Sequence, residues 1–159
     1  MTMQADADII RQSVLGQDLS EQDAQLLATI TQHRSLQPQE CLYQEGEQDS
    51  NLYVIIRGKI AVGKEEGERW TDIATLKEGA LAGEMSFVDG NPHTLTLKAI
   101  NACEVLVLNR EDFEKLVEQS PMTCYHVMRA IIRNGHKLQK EMNHRFLEMS
   151  RFIQNQYTM

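Results

Sequence analysis

No stretch of this chain approaches the roughly 18 consecutive apolar residues needed to cross a bilayer. Its first residues, MTMQADADIIRQSVL, lack a basic segment followed by an apolar one. Neither membrane insertion nor a secretory signal is therefore expected. Positive charge is also scarce: 16 Lys and Arg stand against 23 Asp and Glu, for a net charge of −7. Nucleic-acid binders ordinarily present a basic face, so DNA binding by this chain alone is not expected. Cysteine is sparse and scattered. Cys41, Cys103 and Cys124 form no C-x-x-C pair and no disulfide framework, which fits a reducing cytoplasm and reads each as a small buried hydrophobe. The histidines stand at 33, 93, 126, 136 and 144 with no H-x-H among them. Metal-dependent enzymes on β-barrels need two or three histidines plus a carboxylate on adjacent strands. Only His93 lies in a strand-rich segment, so a metal enzyme is not expected, and no cysteine cluster supports iron–sulfur chemistry. Aromatic residues are 6%, but 42% apolar and 25% charged residues over 159 positions are ordinary for one globular domain with an appended helix.

Hydrophobic periodicity divides the chain into three parts: an N-terminal helical segment over 1–35, a β-barrel over 36–109, and two C-terminal helices over 110–159. Residues 6–15 and 20–34 read as helices. Ser20 and Asp23 have capping-box spacing, and Gln-Pro-Gln at 37–39 ends the helical part. Short strands follow. Residues 52–56 (LYVII) and 104–108 (EVLVL) read as buried strands, 94–99 alternates, and 59–62 returns after Gly58 as the second arm of a hairpin. Gly46, Gly58, Gly79 and Gly83 fall at strand corners. Strands this short and numerous predict a mainly β fold, a double-stranded β-helix or jelly-roll barrel flanked by N-terminal helices and a long C-terminal helix.

Asn109 is placed to cap a helix over 110–119, and Ser120-Pro121 opens another that runs to about residue 157. Along it, Cys124, Met128, Ile131, Gly135, Leu138, Met142, Phe146, Met149 and Ile153 recur at spacings of three and four. This is a seam of coiled-coil type. A helix of about 36 residues is roughly 54 Å long and outreaches a barrel of this size. Half the seam is therefore expected to pack on a second copy. Gly135, unfavourable in mid-helix by about 1 kcal/mol, suits a close approach of two helix backbones.

Residues 83–92 (GEMSFVDGNP) have the layout of an anion-binding cassette: Gly-Glu, a short helical turn, a Gly-Asn-Pro break and then a strand. Together with Tyr43-Gln-Glu-Gly-Glu47, Leu52-Tyr53 with Gly58 beyond, and Gly79-Ala-Leu-Ala-Gly-Glu84, this run makes residues 20–135 resemble the cyclic nucleotide-binding domain family. The resemblance implies a jelly-roll fold, regulatory rather than catalytic activity, and cyclic AMP or cyclic GMP as ligand. By motif position it implies phosphate contacts at the Gly83 corner and from the backbone amides of Met85 and Ser86, a ribose contact at Glu84, and a further phosphate contact at Thr94. The cassette-like segment then spans 83–96.

One position departs from the family pattern. Where an arginine is expected after the proline to pair with the phosphate, this chain has His93. Arginine is always charged and forms a bidentate fork. Histidine offers at most one donor toward a given phosphate and is fully charged only in acid. Loss of such a charge-assisted bond weakens affinity by roughly 2–4 kcal/mol, a factor of about 30 to 1000. Weak binding favoured at lower pH, a different anion, or a vestigial pocket all follow from this exchange. A solvated loop histidine without a ligand role is the plain alternative. Ala82 is smaller than the apolar residue usual before Gly-Glu.

The chain ends at Met159 without a segment for a helix-turn-helix, so a stand-alone sensor or a piece of a longer regulator is expected. Two functional readings follow. One is a cytoplasmic, homodimeric regulatory domain that binds a cyclic nucleotide weakly and signals through its C-terminal helices. The other is a ligand-free dimerisation or protein-interaction module with a degenerate pocket.

Overall fold

In the computed structural model, which describes residues 2–158, two four-stranded sheets face each other. Helices cover one of them. The N-terminal part holds α1 (Met3–Gln12), a 3-10 turn (Val14–Gln17) and α2 (Glu21–Ala28). The strands are β1 (Thr31–Leu36), β2 (Cys41–Tyr43), β3 (Asn51–Arg57), β4 (Ile60–Glu66), β5 (Arg69–Leu76), β6 (Leu81–Ala82), β7 (Thr96–Ala99) and β8 (Cys103–Asn109). A short helix α3 (Glu84–Asp89) interrupts them, and α4 (Arg110–Gln119) and α5 (Pro121–Tyr157) follow. The sheet orders are β1-β8-β3-β6 and β2-β7-β4-β5, with every pairing antiparallel.

The core has two compartments. Between the sheets, Leu36, Leu42, Tyr53, Ile55, Ile60, Leu97 and Val105 pack together. Between the first sheet and the helices, Ile10, Leu27, Leu52, Leu106, Phe113 and Val127 pack together. Strand β3 serves both, because alternate side chains point to opposite faces: Leu52 and Val54 face the helices, Tyr53 and Ile55 the second sheet. This explains why 52–56 is apolar throughout rather than alternating.

The expected helix over 20–34 is corrected. Helix α2 ends at Ala28 with Thr29 as its C-cap, and residues 31–36 form β1, paired to β8 from Thr31↔Leu108 to Leu36↔Cys103. Thr29, Ile30 and Thr31 are β-branched and weaken a helix. The deciding factor is the backbone ladder offered by β8, which no local pattern announces. The barrel thus begins at Thr31, five residues before the sequence-based boundary.

The expected helix over 6–15 is also corrected: α1 ends at Gln12, where Ser13 turns the chain into the 3-10 segment Val14–Gln17. The Ser20–Asp23 capping box is formed in both directions. The Asn109 side chain accepts from the Glu111 and Asp112 amides. Helix α5 runs for 37 residues from Pro121, about 55 Å at 1.5 Å per residue. Its first turns are strapped to the N-terminal part by two carboxylates. Asp18 pairs with Arg129 and Arg133 at 3.4 and 2.9 Å. Asp23, 6% exposed, accepts from Thr123 Oγ1 at 2.6 Å and pairs with His126 Nδ1 at 2.7 Å. Burial works against the Asp23 charge, but the bonds from Thr123, the Ser20 amide, His126 and the Ser20 hydroxyl outweigh it. They hold the carboxyl below its usual range.

Candidate functional site

The cassette sits where β6 ends and α3 begins. Gly83 is the N-cap of α3 and adopts φ +75°. A Cβ there would come within 2.7 Å of the Asn51 carbonyl oxygen, so the corner admits only glycine. Helix α3 is fixed to the body by Phe87, whose ring packs against Phe113 of α4 with centroids 5.0 Å apart. The cassette and the C-terminal helices therefore share a core contact.

The predicted site residues separate into two groups. Gly83, Glu84, Ser86 and His93 come together. Met85 lies in α3 between Glu84 and Ser86 with its side chain exposed, so the role implied for it belongs to its backbone amide, and Thr94 is exposed within the 83–96 segment, one residue past the buried His93. The inward hydroxyl on this stretch is Thr96, which accepts from the Glu45 amide at 3.0 Å.

His93 is not a solvated loop histidine. It is 5% exposed, and every polar group it has is engaged. Its amide donates to Glu47 O at 2.9 Å and its carbonyl accepts from Gly46 N at 2.8 Å. Ring Nδ1 lies 3.0 Å from Ser86 Oγ, and Nε2 lies 2.9 Å from Asp49 Oδ1. Asp49 can only accept when ionised, so Nε2 carries the proton toward it and, in the neutral ring, Ser86 Oγ–H donates to Nδ1. The network continues: Tyr53 OH donates to Asp49 Oδ2 at 3.0 Å, and the Asn51 amide donates to Asp49 Oδ1 at 3.2 Å. The Tyr43 ring lies flat on the imidazole, 3.5 Å between centroids and 10° between planes.

Asp49 and Tyr43 are the residues that the sequence reading missed. Asp49 lies 44 positions from His93 on a polar loop, and Tyr43 ends the three-residue strand β2. Only sheet pairing brings them to the cassette. A tyrosine just before Gln-Glu-Gly-Glu was the available signal.

Two carboxyl groups, Asp49 and Glu84, stand at the cassette. Burial pushes the Glu84 carboxyl above its usual range. Burial, with the Glu84 charge second, raises the Tyr43 phenol. Burial also raises Tyr53, to about 12, so both phenols stay neutral near pH 7. His93 Nε2 and Asp49 Oδ1, 2.9 Å apart, form an ion pair when the ring is protonated.

Ser86, His93 and Asp49 resemble a hydrolytic serine–imidazole–carboxylate chain, with the roles of the two ring nitrogens exchanged. Ser86 is 4% exposed and beyond reach of a substrate carbonyl, so the chain of bonds is structural. A cyclic phosphate needs unengaged donors and a cation. In this cassette the side-chain donors of Ser86, His93 and Tyr53 already have acceptors, Tyr43 covers the imidazole, and two carboxylates stand close by. Those three side chains offer no open donor to a cyclic phosphate, while the backbone of the cassette is retained.

No described helix is long and apolar enough to cross a membrane, and no described group of three or more His, Cys, Asp or Glu could hold a metal ion. Residues 33–120 match the cyclic nucleotide-binding domain family. The cyclic AMP receptor protein of Thermus thermophilus is 25% identical over 122 residues, covering 76% of this chain and 56% of that protein. The cAMP-activated global transcriptional regulator of Salmonella typhimurium is 31% identical over 83 residues, covering 50% of this chain and 39% of the regulator. The chain thus spans about half the length of these relatives or less. A cyclic nucleotide-binding domain from Methylobacillus flagellatus superposes with a TM-score of 0.80 at 23% identity, covering 90% of this chain and 84% of that one. The two curated relatives are a receptor protein and a transcriptional regulator, neither of them named as an enzyme. With the matched segment spanning more than half its length, the chain belongs to the cyclic nucleotide-binding domain family.

Proposed function

We propose that this chain is a homodimeric regulatory interaction module on the cyclic nucleotide-binding fold, acting through α5 rather than through a bound nucleotide. The observation that carries this reading is the way the α5 seam divides. Cys124, Val127, Ala130 and Ile131 are buried against the chain's own body. Beyond them Leu138, Met142, Phe146, Met149 and Ile153 continue the stripe with 44 to 69% of their surface exposed. A second copy is the occupant that this pattern suits: the stripe keeps coiled-coil-like spacing, and by helical periodicity Arg133, Lys137, Lys140 and Arg151 fall on the opposite side, where they do not interrupt it. A Cβ at Gly135 would meet nothing within 4 Å. Packing within one chain does not call for glycine there, and approach of a second helix does.

The filled cassette supports the ligand-independent part of the reading. Retention of the α3 backbone and its Gly83 cap favours a second reading, weak binding of cyclic AMP or cyclic GMP. The three unpaired cysteines suit a reducing, cytoplasmic setting. A protein partner engaged by the dimer is part of the proposal; DNA is not.

Light scattering at tens of micromolar tests the dimer. The expected mass is twice 18.2 kDa, and Met142→Glu with Phe146→Glu is expected to halve it without unfolding the body. A monomeric wild-type chain would overturn the reading. Calorimetry with cyclic AMP and cyclic GMP at pH 6 and 7.5 tests the cassette, and no heat is expected at millimolar ligand.

A further inference from the structure

Building on the ligand-free reading above, we propose that Asp49 is a built-in anion for the cassette and Tyr43 its cover. The chain then excludes cyclic nucleotides by liganding itself, and these two residues, more than His93, set the specificity. The Asp49 carboxylate receives three donors: His93 Nε2 at 2.9 Å, the Asn51 amide at 3.2 Å and Tyr53 OH at 3.0 Å. Of the three, His93 is the donor at the position where the family pattern places the phosphate-binding cation, and the other two come from β3 beside it.

Asp49 is also held in place. The bonds from Gly46 N to His93 O and from His93 N to Glu47 O zip its loop to the backbone at position 93. The internal carboxylate therefore meets its donors without the entropy loss of a free ligand, and at high effective concentration. An incoming phosphate would have to displace it and then remain beside Asp49 and Glu84. The Tyr43 ring, 7% exposed and stacked at 3.5 Å, fills the space over the imidazole, and its phenol sits by the Gly83 backbone and Glu84.

An arginine at position 93 would meet the same carboxylate. Its fork matches a carboxylate as well as it matches a phosphate, so Asp49 would capture it. His93→Arg by itself is therefore not expected to restore binding, contrary to what position 93 suggests when taken alone.

The test is calorimetry of the full chain with cyclic AMP, cyclic GMP and inorganic phosphate. The variants are His93→Arg; Asp49→Asn with His93→Arg; and both of these with Tyr43→Ile, an aliphatic side chain suited to a strand. Wild type and His93→Arg are expected to give no heat at millimolar ligand. The double variant is expected to give measurable heat with a cyclic nucleotide at millimolar ligand, and the triple variant to bind it at least tenfold more tightly than the double variant. Tight binding by His93→Arg alone overturns the proposal while leaving the ligand-free reading of wild type intact. Nucleotide binding by wild type overturns both. A folded triple variant that fails to bind also overturns it. If thermal melting shows the triple variant unfolded, the comparison of the double variant with His93→Arg decides.

Discussion

The ring of Tyr43 stacks on the ring of His93 with centroids 3.5 Å apart, joining strand β2 to the loop after α3 across fifty residues of sequence. Both rings are buried. The pair belongs to the sandwich core as much as to the cassette, and its removal has a stability cost.

Tyr43→Ala is expected to destabilise the chain by about 2–4 kcal/mol in urea unfolding, from lost burial and the space left behind. Tyr43→Phe keeps the ring and its stacking and should cost under about 1 kcal/mol. Equal costs for the two variants would place the contribution in the phenol instead of the ring.

Gly83→Ala combines a positive φ with a Cβ 2.7 Å from a backbone oxygen. It should cost about 1–3 kcal/mol, read as a drop of several degrees in Tm. An unchanged Tm would mean that the corner relaxes at no cost.

Asp23→Asn removes the charge that bonds Thr123 and His126 and weakens the α2 cap. A loss of about 2–3 kcal/mol at pH 7 is expected. Because the folded carboxyl lies below its ordinary value of 3.8, its contribution is present above that value and disappears as pH falls through the lower folded one. The wild-type and variant melting curves should therefore converge in acid below about pH 4. A constant gap down to pH 2 would count against the charge as the cause.

Glu84 has the opposite sign. Burial raises its folded pKa above the ordinary 4.5, so the ionised group works against folding as pH rises through the folded value. Glu84→Gln should raise Tm by a few degrees at pH 7.5 and leave it unchanged near pH 4. A stabilisation that persists in acid would point to packing.

Much of the fold was legible in local pattern. Asn109 caps α4 through its side chain, Pro121 at the first helical position opens α5, and Gly83 in the left-handed region begins α3, because helix termini are set by residues at the terminus itself. Strand β1 was not legible. Its residues, TQHRSL, are mostly polar and half-exposed or exposed, and its reason to be a strand is the β8 ladder more than sixty residues away.

The candidate site divides along the same line. The sequence by itself determined the family, the cassette backbone with its Gly83 corner, and the exchange of a cation for an imidazole at position 93, since each depends on neighbouring residues. Only the tertiary structure decided what that imidazole does. Antiparallel pairing delivers Asp49 and Tyr43 to it from distant segments, Asp49 with a charge opposite to the one the motif calls for. Whether a buried donor is open to a ligand or already bonded depends on neighbours supplied by the whole sandwich, and no spacing rule along the chain encodes them.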